Sequence, residues 1–172
     1  MKTLHVGLLL CLFFSGMSGR LMSQDTTLPG VTVVSLNYRY LKAVNDPSSA
    51  QPVRLLEHRA ASYDIKKSEF YEDEYDEYFV SFYIPEGEIL ATYDKEGKLL
   101  RTAERFKNVA LPYDVRESVK RYYPDWRIYK DVYRVNFYHD NAADPKKVYK
   151  LILENGDERM RIKTTEKGDI IK

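Results

Sequence analysis

Leu111–Ile128, LPYDVRESVKRYYPDWRI, followed by Tyr133–Tyr138, YRVNFY, is the stretch that decides the fold. Pro112 suits the first turn of a helix, where a missing N–H removes no hydrogen bond. Val115, Val119 and Tyr122 fall at i, i+4 and i+7 on one face, while Arg116, Glu117 and Lys120 take the other. Pro124 stops the helix, because a proline pushes the residue before it out of the α region. The spacing predicts a helix over 112–123. Trp126 and Ile128 then alternate with charged neighbours as a strand opens, and Trp126 is the expected anchor of the helix–sheet core.

The strand has a near-copy at Tyr78–Tyr83, YFVSFY. Tyr78, Val80, Phe82 and Tyr83 match Tyr133, Val135, Phe137 and Tyr138 at a constant offset, and Gly97 matches Gly156 at an offset four residues longer. A longer turn in the second copy, His139–Lys146 against Pro85–Gly87, accounts for the difference. The first block reads as strands at 79–84, 88–93 and 98–106, and the second as strands at 134–138, 147–154 and 158–164. Asn155-Gly156 is the strongest hairpin signal in the chain. A glycine closing each turn is expected to supply the positive φ that tight hairpins need. Internal repetition of this kind means paired supersecondary units.

Upstream, Val31–Val44 favours a strand, since Leu36, Tyr38 and Tyr40 alternate with Asn37 and Arg39. Gln51–Ile65 is ambiguous. Val53, Leu56 and Ala60 have helical spacing, whereas Val53, Leu55, Ala61, Tyr63 and Ile65 mostly alternate; a strand is expected over the second half and the first half stays open. The expected fold is therefore α+β: a curved antiparallel sheet from two related β blocks packed on one clear helix, 112–123. It forms a single domain, 31–172, with a degenerate first repeat at 31–107 and a second at 111–172.

The first 23 residues read as a signal peptide. Lys2 gives a basic start, Gly7–Phe14 is an apolar run too short to span a bilayer, and small residues follow. Cys11 lies inside that run, behind Leu9 and Leu10, which is not the setting of a lipid-anchored cysteine. Cleavage leaves a chain with no cysteine, so disulfides and thiolate chemistry are excluded and stability must come from the core. Of 27 basic residues, Lys2 and Arg20 depart, leaving 25 against 26 acidic ones. That balance gives no global steering toward nucleic acid or anionic lipid. A periplasmic or secreted monomer without a membrane span is expected.

The run Leu111-Pro112, Val115, Val119, Tyr123-Pro124, Ile128, Tyr133-x-Val135, Tyr149-Lys150-Leu151 and Gly156 resembles the PepSY-like family of secreted proteins from Bacteroidetes-type bacteria. That family is also described as β-lactamase-inhibitor-protein-like (BLIP-like). The resemblance covers about residues 78–170. It implies tandem helix-plus-sheet repeats in the cell envelope and, by analogy alone, an inhibitor or binding role.

No catalytic, cofactor or metal site is expected. The mature chain offers His58 and His139 but no nucleophile motif beside either. The acids Glu72, Asp73, Glu74, Asp76 and Glu77 lack the ligand alternation and central glycine of a calcium loop, and zinc lacks both cysteine and a histidine pair. Phosphate-cradling glycine motifs, and with them a nucleotidyltransferase, find no support. Fifteen tyrosines and seven phenylalanines are instead the composition of a packed sheet with a recognition patch. Phe70, Tyr71, Tyr75 and Tyr78 are the candidate partner-binding surface, for an unknown protein partner in the cell envelope. Small-ligand or calcium binding at 69–78 is the alternative.

Overall fold

A computed structural model describes residues 37–141 and 144–171 of the chain. The expected signal segment with Cys11, and the first part of the strand expected at 31–44, lie outside the described residues. Among the described residues three α-helices, α1 (Tyr38–Val44), α2 (Gln51–Ser62) and α3 (Tyr113–Tyr122), and a short 3-10 helix, Ile65–Lys67, accompany seven strands. The strands are β1 (Glu77–Ile84), β2 (Gly87–Asp94), β3 (Leu99–Lys107), β4 (Arg127–Tyr138), β5 (Lys146–Asn155), β6 (Glu158–Thr164) and β7 (Ile170–Ile171). They form one antiparallel sheet in chain order, β1-β2-β3-β4-β5-β6-β7. The fold is α+β.

Period-two alternation gives β1, β3, β4 and β6 a buried and an open face along most of their length. The matched residues of the two β blocks keep their sides: Tyr78, Phe82, Tyr133, Val135 and Phe137 are buried, whereas Tyr83 and Tyr138 are exposed. Cross-strand register carries the core across the sheet, through Phe82↔Ile89, Phe106↔Tyr133, Tyr133↔Tyr149 and Leu151↔Ile162. The rings of Tyr133 and Tyr149 stack with centroids 4.4 Å apart. Side chains from α1, α2 and α3 join this same cluster, so the helices cover one face of the sheet.

One segment expected to be extended, and a second with its first half open and its second half expected as strand, are helical. Residues 38–44 form α1, in which Tyr40 and Val44, one turn apart, are buried while Tyr38 is exposed. Asn37 fixes the start of α1 to the β2–β3 hairpin: its carboxamide oxygen accepts from Leu99 N at 2.6 Å and its nitrogen donates to Gly97 O at 3.2 Å. Residues 51–62 form α2, whose buried stripe Val53, Leu56, Glu57, Ala60, Ala61 has ideal helical spacing. Glu57 sits in the middle of that stripe and masks it in the sequence. Each three-stranded block is thus preceded by a helix, the first as well as the second.

Three smaller expectations also change. In α3, Val115 and Val119 are buried as expected, but Tyr122 is 62% exposed and Tyr123, released from the helix, packs on the core instead. Trp126 is only partly buried; the fully buried anchors are Tyr40, Tyr93, Tyr133 and Tyr149. Gly97 and Gly156 have φ of 87° and 58°, as hairpin turns require. Gly87 does not. A Cβ there would lie 2.3 Å from the Arg105 carbonyl oxygen and 2.8 Å from Phe106 Cα, so the position demands space rather than a left-handed backbone.

Candidate interaction surface

The face of the sheet away from the helices has no covering element among the described residues. Its β1–β4 end is aromatic and aliphatic: Phe79, Tyr83, Leu90 and Tyr138 are each at least half exposed. Phe79, Thr92, Arg101 and Tyr138 occupy one cross-strand row. Arg101 organises that row, donating from Nε to Thr92 Oγ1 at 3.2 Å, pairing with Glu77 at 2.9 Å and lying 5.8 Å from the Phe79 ring centroid.

Toward β4–β7 the open face becomes cationic. One row reads Tyr83, Glu88, Arg105, Arg134, Val148, and the next Lys107, Val132, Lys150, Lys163, Ile171. Arg134, Lys146, Lys150 and Lys163, with Asn136, Val148 and Ile171, line a groove of about 380 Å³. A second groove of about 380 Å³ lies between Tyr129, Lys130, Ile152, Arg159 and Arg161. Lys150, Ile152, Arg161 and Lys163 also line a space of about 620 Å³ that continues to Ile170 and Ile171. No acidic side chain lines any of the three.

The expected aromatic site is divided by the structure. Phe70 and Tyr75 are exposed and Tyr71 is half-buried, at the β1 edge of the sheet. Tyr78 belongs to the core: its ring stacks on Tyr71 with centroids 5.5 Å apart, and its hydroxyl donates to the Glu72 carbonyl. The neighbouring acids are partly engaged elsewhere. Asp73 accepts from the Tyr71 hydroxyl at 2.8 Å, Asp76 lies 3.8 Å from Lys95, and Glu77 pairs with Arg101. Among the described residues no group of three or more His, Cys, Asp or Glu side chains is arranged to hold a metal. His139 lines a shallow groove of about 460 Å³ with Asn37, Tyr40, Lys98 and Leu99, and burial together with Lys98 and Arg39 holds its imidazole below its usual pKa. His58 is exposed on α2.

Sequence reasoning missed one chemical feature under the helices. Glu57 of α2 and Glu104 of β3 are both buried in the core. Glu104 Oε1 accepts from Tyr40 Oη at 2.9 Å and Thr102 Oγ1 at 2.8 Å, whereas neither oxygen of Glu57 has a hydrogen-bond partner among the described residues. Burial, reinforced by Glu104, pushes the Glu57 carboxyl up to about 9. Burial also raises Glu104, to about 7, against the opposing hydrogen bonds of Thr102 and Tyr40. Glu57 is therefore the protonated member near neutrality, because only Glu104 has donors to support an anion. Neither carboxyl lines the grooves beside His139, Tyr129, Lys150 or Arg134.

No family model matches the chain, and no curated protein matches it. Solved structures with a similar arrangement come from Bacteroides. A DUF2874 family protein from Bacteroides uniformis shares 12% identity, over 59% of this chain and 72% of that one, with a TM-score of 0.35. A BLIP-like protein from Bacteroides fragilis shares 17% identity, over 59% of this chain and 69% of that one, at a TM-score of 0.33. A candidate periplasmic protein from Bacteroides eggerthii shares 9% identity, over 59% and 71% of the two chains, at 0.34. Among the described residues, no helix is long and apolar enough to cross a membrane.

Proposed function

We propose that this chain is a secreted, non-catalytic protein-binding module of the PepSY-like kind, acting in the cell envelope as a monomer. It presents the open sheet face to its partner. The observation that carries this reading is the asymmetry of the sheet: one face is closed by three helices, while Phe79, Tyr83, Leu90 and Tyr138 stand exposed on the other. Aromatic and aliphatic side chains on a surface held by a continuous backbone hydrogen-bond ladder give large contact area at little ordering cost. Phe70 and Tyr75 extend the platform at the β1 edge. The PepSY-like assignment is supported by the Leu111-Pro112 and Tyr123-Pro124 boundaries of α3 and by the order of helix then three strands in both halves.

Capture of partners from envelope extract tests the reading. Phe79→Ser combined with Tyr83→Ser is expected to abolish capture, and Tyr122→Ser, on the helix side, to leave it intact. Equal capture by both variants would remove the open face from the account. Tyr71→Ala with Tyr75→Ala asks separately whether the β1 edge contributes; undiminished capture would restrict the surface to the sheet.

A further inference from the structure

We infer that the β4–β7 part of the open face is a docking groove for an acidic polypeptide segment that also carries apolar side chains, supplied by another protein. The inference rests on the protein-binding reading above and adds the chemistry of the partner.

Two cross-strand pairs carry the argument. Lys150 lies directly opposite Lys163, with Val132 on its other side, and Arg134 lies directly opposite Arg105, which has Glu88 on its other side. Like charges in such positions oppose strand pairing, so folding alone gives no reason to place them there. Six cations among the described residues have an ion pair: Lys67 with Asp64, Lys95 with Asp76, Arg101 with Glu77, Arg127 and Arg159 with Glu154, and Lys147 with Glu166. Arg105, Arg134, Lys150 and Lys163 have no ion pair among the described residues, and neither do Lys146 or Arg161. The chain as a whole carries a formal charge of only +1, so this density is segregation rather than a generally basic composition. An anionic partner would relieve the repulsion and supply the missing counter-charge.

The floor between the cations selects the kind of anion. Val132, Val148, Ile152 and Ile171 lie among the cations, and along the open face of β5 Lys146, Val148, Lys150 and Ile152 alternate at every second residue. Successive side chains of an extended segment point to opposite faces, so a segment that alternates carboxylate and apolar groups at every second residue presents the same pattern to the sheet. Single-stranded nucleic acid needs exposed aromatic rings for base stacking. The Arg134–Lys163 groove has none in its lining, and at the far end the ring of Tyr129 already has Arg159 at 4.3 Å and Lys130 at 5.0 Å. The observations favour an acidic, apolar-bearing polypeptide over a polyanion.

The test uses the mature full chain and a labelled twelve-residue peptide of Glu-Ser-Val-Ser repeats, which sets glutamate and valine alternately on one face, read by fluorescence anisotropy. Binding is expected, weakening roughly ten-fold between 50 and 300 mM salt as exposed charges are screened. Lys150→Glu with Lys163→Glu should weaken it at least about ten-fold, with thermal melting confirming that these exposed substitutions leave the fold intact. Equal binding of the glutamine–valine peptide would overturn the electrostatic claim, and equal binding of a glutamate–serine peptide the apolar one. Preference for a thymidine 20-mer would assign the face to nucleic acid instead. Self-association lost in the same double variant would make a second copy the occupant and refute a foreign partner. If no peptide binds while envelope partners are still captured through Phe79 and Tyr83, the acidic-partner inference fails and the binding-module reading stands.

Discussion

Replacing Glu57 with glutamine should make the protein more stable in mild alkali, an unusual outcome for removing a carboxylate. Glu57 is buried in the core with both oxygens unpartnered among the described residues, and its carboxyl is raised from an ordinary 4.5 to about 9. Below pH 4.5 both the folded and the unfolded chain hold the proton, and the group exerts no differential effect. Above it the unfolded chain ionises while the folded one does not, so stability falls by about 1.4 kcal/mol per pH unit until the folded value is reached. The companion Glu104 complicates the range up to about pH 7, and His139, with its lowered value, titrates below that too. From pH 7 to 9 the slope belongs mainly to Glu57. Its loss over that window is about 2–3 kcal/mol, less where water enters to solvate the anion. Glutamine keeps the shape without the ionisation. Urea unfolding at half-unit steps from pH 5 to 9 should give a wild-type stability that declines with pH and a Glu57→Gln slope flattened above pH 7. A wild-type stability that rises through this range, or an unchanged slope in the variant, would refute the placement of Glu57 in the core.

Tyr40→Phe removes the 2.9 Å hydrogen bond to Glu104 and should cost about 1–2 kcal/mol, more at pH 8 than at pH 5, because the lost donor supports the anion; denaturant melts at the two values check it. Gly87→Ala drives a methyl group against the Arg105 carbonyl and should lower stability by about 2 kcal/mol or more, whereas a pure backbone-entropy effect would raise it slightly; thermal melting separates the signs. Val119→Ala should cost about 1–3 kcal/mol, and Tyr122→Ala should stay within about 0.5 kcal/mol, because the first side chain is buried and the second is in solvent.

The second half of the chain was largely legible because local signals there agree with one another. Pro112 and Pro124 bracket α3, Asn155-Gly156 makes the β5–β6 turn, and alternation marks β6 and the Asp131–Tyr138 part of β4. The first half was less legible for identifiable reasons. Seven residues of α1 span two turns, too few to separate helical spacing from the accidental alternation of Tyr38 and Tyr40. In α2 the stripe at 53, 56, 57, 60 and 61 is complete only if a glutamate is accepted as a core residue, which simple patterning forbids. The same glutamate is the group that the protein keeps protonated by burial. Tyr78 looked like surface beside acidic neighbours, yet strand register turns it inward.

The open face was only partly readable. Single strands show alternating charges, but the like-charged neighbours Arg105–Arg134 and Lys150–Lys163 are about 29 and 13 residues apart in the chain and meet only through pairing. A near-neutral total charge hid a dipolar distribution, with acids before β1 and cations across β4–β6. Gly87 shows the same limit at a single position: the sequence marks a turn, and only the neighbouring strand explains why nothing larger fits.

Covalent footprinting of lysines in envelope extract tests the central claim, that the open face is the binding surface, most directly. Lys107, Lys146, Lys150 and Lys163 lie exposed on that face, and Lys42 and Lys120 lie exposed on α1 and α3. The account predicts that extract shields the first four from acetylation and leaves Lys42 and Lys120 at the rate of the isolated protein. Shielding at Lys42 and Lys120 with the sheet lysines still fully reactive would contradict it.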